Sequence, residues 1–264
     1  LAGLTKLALP TDHPRPKTAT FASGLVTKSL RPELSNKLQQ VSQQLGATLF
    51  MTLLTAFKVF VHRYTRERDI AIGVPVGGRR HAECADLVGF FVNTIVLRTL
   101  FSDPVDDTFA TWLQAVKATV IEGLEHQAVP FSSVVEACAP NRSSHANPLF
   151  EIMFQLQSDG YRSQNASAPD VEFSGLHLTQ EHLQLPETKF DLTWHVFDRE
   201  DGLLMAVEYR TALFSEARIS RMLDHFEQLL EQIVIDPKRR IGDYSLLALA
   251  ERDDLLEMGS ATVL

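Results

Sequence analysis

Three short segments set polar side chains into apolar runs where core packing alone does not ask for them. VGFFVNTIVLR spans Val88 to Arg98, HQAVPF spans His126 to Phe131, and RSSHANPLFE spans Arg142 to Glu151. In the first, Gly89 admits a close backbone approach or an unusual dihedral. Asn93 can donate and accept from one side chain, which suits either an amide-like arm or the fixing of a loop. Arg98 is permanently charged and able to pair with an acidic group of a partner; the plainer alternatives are that Asn93 caps a strand and Arg98 lies in solvent. In the second, His126 and Gln127 are candidates to line a cleft, beside a turn set by Pro130 and Phe131. In the third, Asn147 and Pro148 read as a turn ahead of a strand. General acid–base chemistry needs a titratable group held by a partner. The nine histidines are scattered through the sequence. Cys84 and Cys138 have no His or Asp at nucleophile spacing and no histidines at ligand spacing, so neither a nucleophile nor a metal site is assigned.

The elements that must position these segments follow from periodicity and punctuation. Residues Leu1 to Ala19 read as an irregular linker, because Pro10, Pro14 and Pro16 forbid a regular helix. Gly24 to Leu30 reads as a strand. Pro32 opens a helix that runs to about Leu45 and stops at Gly46. Thr48 is placed to cap a second helix, whose Leu49, Leu53, Leu54, Phe57, Phe60 and Val61 make it apolar enough to be packed on two sides. Strands are expected at Ile70 to Val76, Val92 to Leu100 and Leu149 to Gln157. Asp106 or Asp107 is expected to cap a helix through Trp112, Val116, Val120 and Leu124, and Phe131 to Cys138 to form a short one. Ser158 to Pro169 reads as a polar loop. From Lys189 to Phe197 the alternation places Phe190, Leu192, Trp194 and Val196 on one side, with Leu203 to Tyr209 returning as the partner strand of a hairpin. Ser215 caps a long helix carrying Ile219, Met222, Phe226, Leu229, Leu230 and Ile233, and a short helix at Glu251 to Glu257 follows. Strands and helices mix without strict alternation, so the class is α/β or α+β with a mixed sheet, a mixed-sheet sandwich.

The totals exclude several functions. With 264 residues and 45% hydrophobic composition the chain can bury a large core without staples. A net charge of −8 argues against nucleic acid. Two cysteines suit a reduced, cytoplasmic setting, and no apolar run approaches the length of a membrane span. The sequence begins with Leu1, so it is expected to be a fragment, a processed product or a trimmed piece.

Taken in order and spacing, the three segments resemble late motifs of nonribosomal peptide synthetase condensation domains. LPTDHPRP near the start, IAIGVPVGGRR ahead of the first segment, and TKFDLTWHVFD before a long helix agree with that family, so the resemblance covers nearly the whole chain. It departs at Ala128 and Ser132, where the family commonly has acidic residues, and at Ser143, where it often has Asp. The resemblance implies a chloramphenicol acetyltransferase-like fold of two related subdomains around a cleft. It implies that this chain is the C-terminal subdomain only: residues 1–20 as linker from the N-terminal subdomain, 21–248 as the subdomain, 249–264 as the start of a linker to the next domain. It implies amide-bond formation between a carrier-bound donor thioester and an acceptor amine. The residues credited with that reaction lie in an HHxxxDG motif that this sequence lacks. The FFVNT wording is closer to amide-forming than to epimerization domains. No cofactor would be bound directly; phosphopantetheine would arrive on donor and acceptor peptidyl carrier proteins, with Arg79 and Arg80 as candidates for its phosphate, although an exposed arginine pair in a loop is more often solvated. The implied partners are the N-terminal condensation subdomain, those carrier proteins and an adjacent adenylation domain. A noncatalytic docking module for carrier proteins or tailoring enzymes is the alternative, and a free-standing acyltransferase ranks last.

Overall fold

The second helix decides the layering. Every residue from Met51 to His62 of α2 (Leu49–Thr65) is buried, so this helix has no solvent face and must be enclosed by other elements. The Thr48 hydroxyl accepts the Met51 N–H at 3.2 Å and starts it. Arg66, with a φ of 64°, ends it in the left-handed conformation. Around it stand α1 (Pro32–Gln44), α3 (Phe109–Glu125) and α5 (Glu216–Ile235). In this computed structural model the described residues are 1, 3–4, 6–16, 18, 20–79, 82–84, 86–101, 107–138, 147–158, 171–173, 176–178 and 187–261.

These helices lie on one face of a six-stranded sheet built from β1 (Ser23–Ser29), β2 (Asp69–Val76), β3 (Asn93–Leu100), β4 (Ile152–Ser158), β7 (Leu192–Arg199) and β8 (Gly202–Arg210), in the order β1-β8-β7-β4-β2-β3. The pairs β2–β4 and β4–β7 are parallel and the outer pairs antiparallel. Two short strands, β5 (Val171–Phe173) and β6 (Leu176–Leu178), pair with each other. The mixed sheet agrees with the expected class. Alternation sends Ile70, Ile72, Ile95, Leu97, Ile152, Phe154, Leu192, Trp194 and Val196 into the main core. There Phe57 sits with its ring centroid 5.0 Å from both Phe154 and Trp194. From α5, Ile219, Phe226, Leu229 and Ile233 close the layer. Full burial of each such side chain contributes about 1.5–3 kcal/mol before entropy is counted.

Several local expectations differ from the structure, among them the starts of β3 at Asn93 rather than Val92 and of β4 at Ile152 rather than Leu149. Thr108, not Asp107, caps α3, in a reciprocal arrangement with Thr111; Asp107 instead accepts Trp112 Nε1–H at 3.0 Å, and Asp106 lies outside the described residues. β7 begins at Leu192, and the preceding bend turns Phe190 to the opposite face of the sheet from Leu192, Trp194 and Val196. The last helix, α6 (Leu249–Ala261), extends beyond Glu251 to Glu257 at both ends. The polar stretch expected from Ser158 begins inside β4, and 159–170 lie outside the described residues. No single helix among the described residues is long and apolar enough to cross a membrane.

Candidate functional site

The other face of the sheet is where the three segments meet. β3 carries Val96 on that face, one step out of register with Ile95 and Leu97. Phe131 opens α4 (Phe131–Cys138), and Leu149 and Phe150 lead into β4. Val135, Leu149 and Phe150 form a second, smaller apolar cluster, against which Val96, Phe131, Met153 and Phe190 pack. Phe150 lies 5.8 Å from Phe131 and 5.1 Å from Phe190, ring centroid to centroid. It also lies directly over Gly73 of β2, where a Cβ would come within 2.3 Å of the ring; only glycine leaves room for it. Residues from all three segments thus share a single patch of core.

Asn93 ties the first segment to the second. Its Nδ2 donates to Gln127 O at 2.9 Å and to Val129 O at 2.7 Å. Its Oδ1 accepts the Phe131 N–H at 3.1 Å. These bonds use both amide hydrogens and fix the loop between α3 and α4. Arg98 lies on the same strand and forms a two-point pair with Asp69 of the adjacent strand, Nε to Oδ1 at 2.7 Å and Nη2 to Oδ2 at 2.6 Å. Gln127 Nε2 donates to Leu124 O at 2.8 Å. His126 is the C-cap of α3 and its side chain is exposed. In the third segment, Asn147 Oδ1 accepts the N–H groups of Leu149 and Phe150 at 3.0 and 3.3 Å, a side-chain turn that aims the strand; 142–146 lie outside the described residues.

Ahead of Asn93 the first segment projects into solvent. Leu87, Val88, Phe90 and Val92 are 53%, 103%, 91% and 50% exposed. The segment is held from behind. Gly78 has a φ of +67° and a Cβ there would meet Phe91 O at 2.0 Å. The Arg79 guanidinium lies 4.2 Å above the Phe91 ring and donates to Cys84 O. Gly89 is not in the left-handed region, and a Cβ there would stand 3.1 Å from the Phe91 ring, so close approach is what glycine allows. Arg80 lies outside the described residues.

Charged groups on this face clamp the N-terminal segment. Asp191 is buried between Arg15, whose Nη1 donates to Oδ1 at 3.1 Å, and Arg210, at 3.5 Å. Glu151 Oε2 accepts the Leu7 N–H at 3.4 Å. Burial pushes its carboxyl up, against the pull of that N–H. Further along, Gln155 Nε2 donates to His195 Nδ1, leaving Nε2–H 3.9 Å from the Glu208 carboxylate. That contact holds Glu208 below its usual range. His195 Nδ1 is thus engaged, while its Nε2 faces Glu208 beyond hydrogen-bond distance. His225 is bonded at both nitrogens: it accepts from the Tyr64 hydroxyl at 2.6 Å and donates to Glu251 at 2.8 Å. His62 Nδ1 binds Glu67 O at 2.8 Å, and burial pushes its pKa down. Of these three rings, only that of His225 has both nitrogens hydrogen-bonded. Sequence reasoning missed Asp69, Gln155 and Glu208. A strand pairing of Asp69–Val76 with Asn93–Leu100 would have pointed to the first; Gln155 needed the parallel β4–β7 register, which pairs it with His195, and Glu208 the β7–β8 register, which sets it opposite Thr193.

The sequence matches the family described as Condensation domain over residues 1–256. It is similar to a linear gramicidin synthase of Brevibacillus parabrevis, 42% identical over 252 residues, covering 95% of this chain and 5% of that protein. It is also similar to tyrocidine synthase 2 of the same organism, 36% identical, covering 96% of this chain and 7% of that protein. The chain thus spans about a twentieth of the length of these curated relatives. Among solved structures it resembles holo-AB3403, a four-domain nonribosomal peptide synthetase bound to AMP and glycine, with a TM-score of 0.85 and 25% identity over 95% of this chain and 20% of that one. The X-domain in complex with OxyB from teicoplanin biosynthesis gives 0.83 and 25% identity over 94% of this chain and 53% of that one.

Proposed function

This chain belongs to the condensation-domain family, and we propose that it is the C-terminal subdomain of a domain that forms an amide bond between a carrier-bound donor thioester and a carrier-bound acceptor amine. In this reading residues 21–248 are the subdomain, 1–20 connect it to an N-terminal subdomain, and 249–264 lead toward an adjacent adenylation domain, all in the cytoplasm. The observation that carries it is the convergence of the three segments on one sheet face, with the exposed apolar run Leu87–Val92 at its edge.

The reaction needs the amine nitrogen to attack the thioester carbonyl. The C–N bond forms, the C–S bond breaks, and a proton passes from the amine to the departing thiolate. A base or acceptor must meet the amine, and donors must meet the oxyanion. That work is assigned to the HHxxxDG residues of an N-terminal subdomain, a motif this sequence lacks. This chain supplies the wall. Asn93 holds the 127–131 loop rigid, Arg98 and Asp69 lock β3 to β2, and the projecting run covers the arms against water. Phosphopantetheine arrives on the donor and acceptor carrier proteins, with Arg79 beside the Phe91 ring as a candidate for its phosphate.

The test is a condensation assay with loaded donor and acceptor carrier proteins, run with this chain alone and with a matching N-terminal subdomain added. Product only with both supports the reading. Product from this chain alone overturns it, because a base must then exist within the chain. The likeness to the X-domain found in complex with OxyB supports a second reading, a docking module without chemistry; carrier or tailoring-enzyme binding without product from either mixture would select it.

A further inference from the structure

Away from the sheet face, α2, α5 and the segment leading into α6 enclose an open cavity of about 540 Å³. Two arginine pairs border it: Arg63 in the last turn of α2 with Arg66 at its cap, and Arg218 with Arg221, three residues apart on one side of α5. Their charges are compensated unequally. Arg218 Nε binds Asp12 Oδ1 at 2.5 Å. Arg63 Nη1 donates to neutral acceptors, Ile241 O at 3.1 Å and Gly242 O at 2.7 Å, with Asp243 attracting its charge and Arg66 repelling it. Arg66 and Arg221 have no ion pair among the described residues. Among the described residues, the one carboxylate lining the cavity is Glu251, and it is already bound by His225. Leu246 and Leu247, both half-buried, give the cavity an apolar strip.

A chain of net charge −8 that gathers so many arginines around one opening has concentrated positive potential there. Guanidinium forks match carboxylates in a two-point geometry. The opening is wide rather than enclosed, and its apolar strip would contact the stem of a peptide rather than a bare ion. We infer that this cavity docks an acidic peptide segment of a partner protein, whose carboxylates engage Arg66 and Arg221. This inference does not rest on the amide-forming reading.

The probe is a fluorescein-labelled hexaglutamate peptide, titrated with this chain by fluorescence anisotropy at about 20 mM salt, where surface charge is weakly screened. Saturable binding is expected, absent with hexaglutamine, and weakened about 10-fold or more in the Arg66→Glu/Arg221→Glu double variant. A Lys37→Glu/Lys189→Glu double variant changes the net charge equally at positions elsewhere and is expected to keep the affinity within about 2-fold. Absence of saturable binding, or equal loss in both double variants, overturns the inference. So does displacement of the peptide by micromolar inorganic phosphate acting through the same arginines, which would make the cavity a phosphate site.

Discussion

Lys58 sits in the middle of α2, fully buried between the sheet and the helices around it. Its Nζ donates to Leu97 O at 2.7 Å, Ile70 O at 3.1 Å and Thr99 Oγ1 at 2.8 Å. As an ammonium it has three N–H groups for these three acceptors, as a neutral amine two, and in either form the nitrogen staples α2 to both β2 and β3. Burial pushes its pKa down to about 7, against the pull of Asp69. The unfolded lysine titrates near its ordinary value of about 10.4. Between these values the unfolded chain binds more protons than the folded one, so stability rises with pH across that window. Below pH 7 both states are protonated and the cost of a buried ammonium is fully present; above the unfolded value both are neutral and the cost is gone. From pH 7.5 to 9.5 the gain is about 2 kcal/mol. Lys58→Met removes the titrating group while keeping most of the volume, so this rise disappears. Lys58→Ala removes it as well and deletes three further methylenes, which places it about 2–3 kcal/mol below the methionine variant at every pH. Urea melts followed by circular dichroism at pH 7.5, 8.5 and 9.5 would read all three proteins. Tyr64, pushed up to about 12 by burial, stays protonated in the fold throughout this range. A methionine variant whose midpoint climbs with pH as steeply as the parent's would refute the argument.

Two further outcomes follow from the same accounting. Asn93→Ala removes three hydrogen bonds at about 1 kcal/mol each and should cost about 2–3 kcal/mol in a urea melt. Asn93→Asp should cost more at neutral pH, because a carboxylate cannot donate to Gln127 O and Val129 O; relief on acidification, as the carboxyl regains one hydrogen, would be read by repeating the melt at pH 4. Asp12 accepts from the Ser215 N–H and hydroxyl and from Arg218, which overcome the opposing effect of burial and bring its pKa down to about 2. Its contribution of about 2 kcal/mol is present above pH 4 and is lost as pH falls toward 2. Asp12→Asn should therefore melt lower than the parent at pH 6, with the gap closing by pH 2.5.

What could be read from sequence depended on the range of the contact. The all-round apolarity of α2 predicts packing on two sides, and the structure shows why: local composition reports burial directly. The same helix hides Lys58, because a lysine inside an apolar run reads as a solvent stripe until its acceptors are known, and those lie 12 to 41 residues away. Thr108 is hard to recognise as the cap of α3 because Asp106 and Asp107 are stronger cap residues by type; the capping box with Thr111 outweighs type. Phe190 falls on the wrong face when alternation is extended across the bend where the strand starts. Asn93 is legible as a side chain able to donate and accept at once, but its partners are 34 to 38 residues distant, so fixing a loop and holding a ligand look alike.

The first segment is where sequence and structure differ most. As sequence, GFFV looks like the approach to a buried strand that starts at Val92. The ladder instead begins at Asn93, whose amide is committed to the 127–131 loop, and Gly78 and Arg79 hold Phe91 from behind. Leu87, Val88, Phe90 and Val92 are thereby kept in solvent by contacts on either side of them rather than by lack of anything to fold onto. Covering a Leu, Val or Phe side chain fully is worth about 1.5–3 kcal/mol. A run of four such side chains, held out in a fixed shape, therefore favours a covering partner by several kcal/mol, less the entropy of association. A surface of this kind is suited to receive a second subdomain, which is why the condensation assay with both halves is the decisive one.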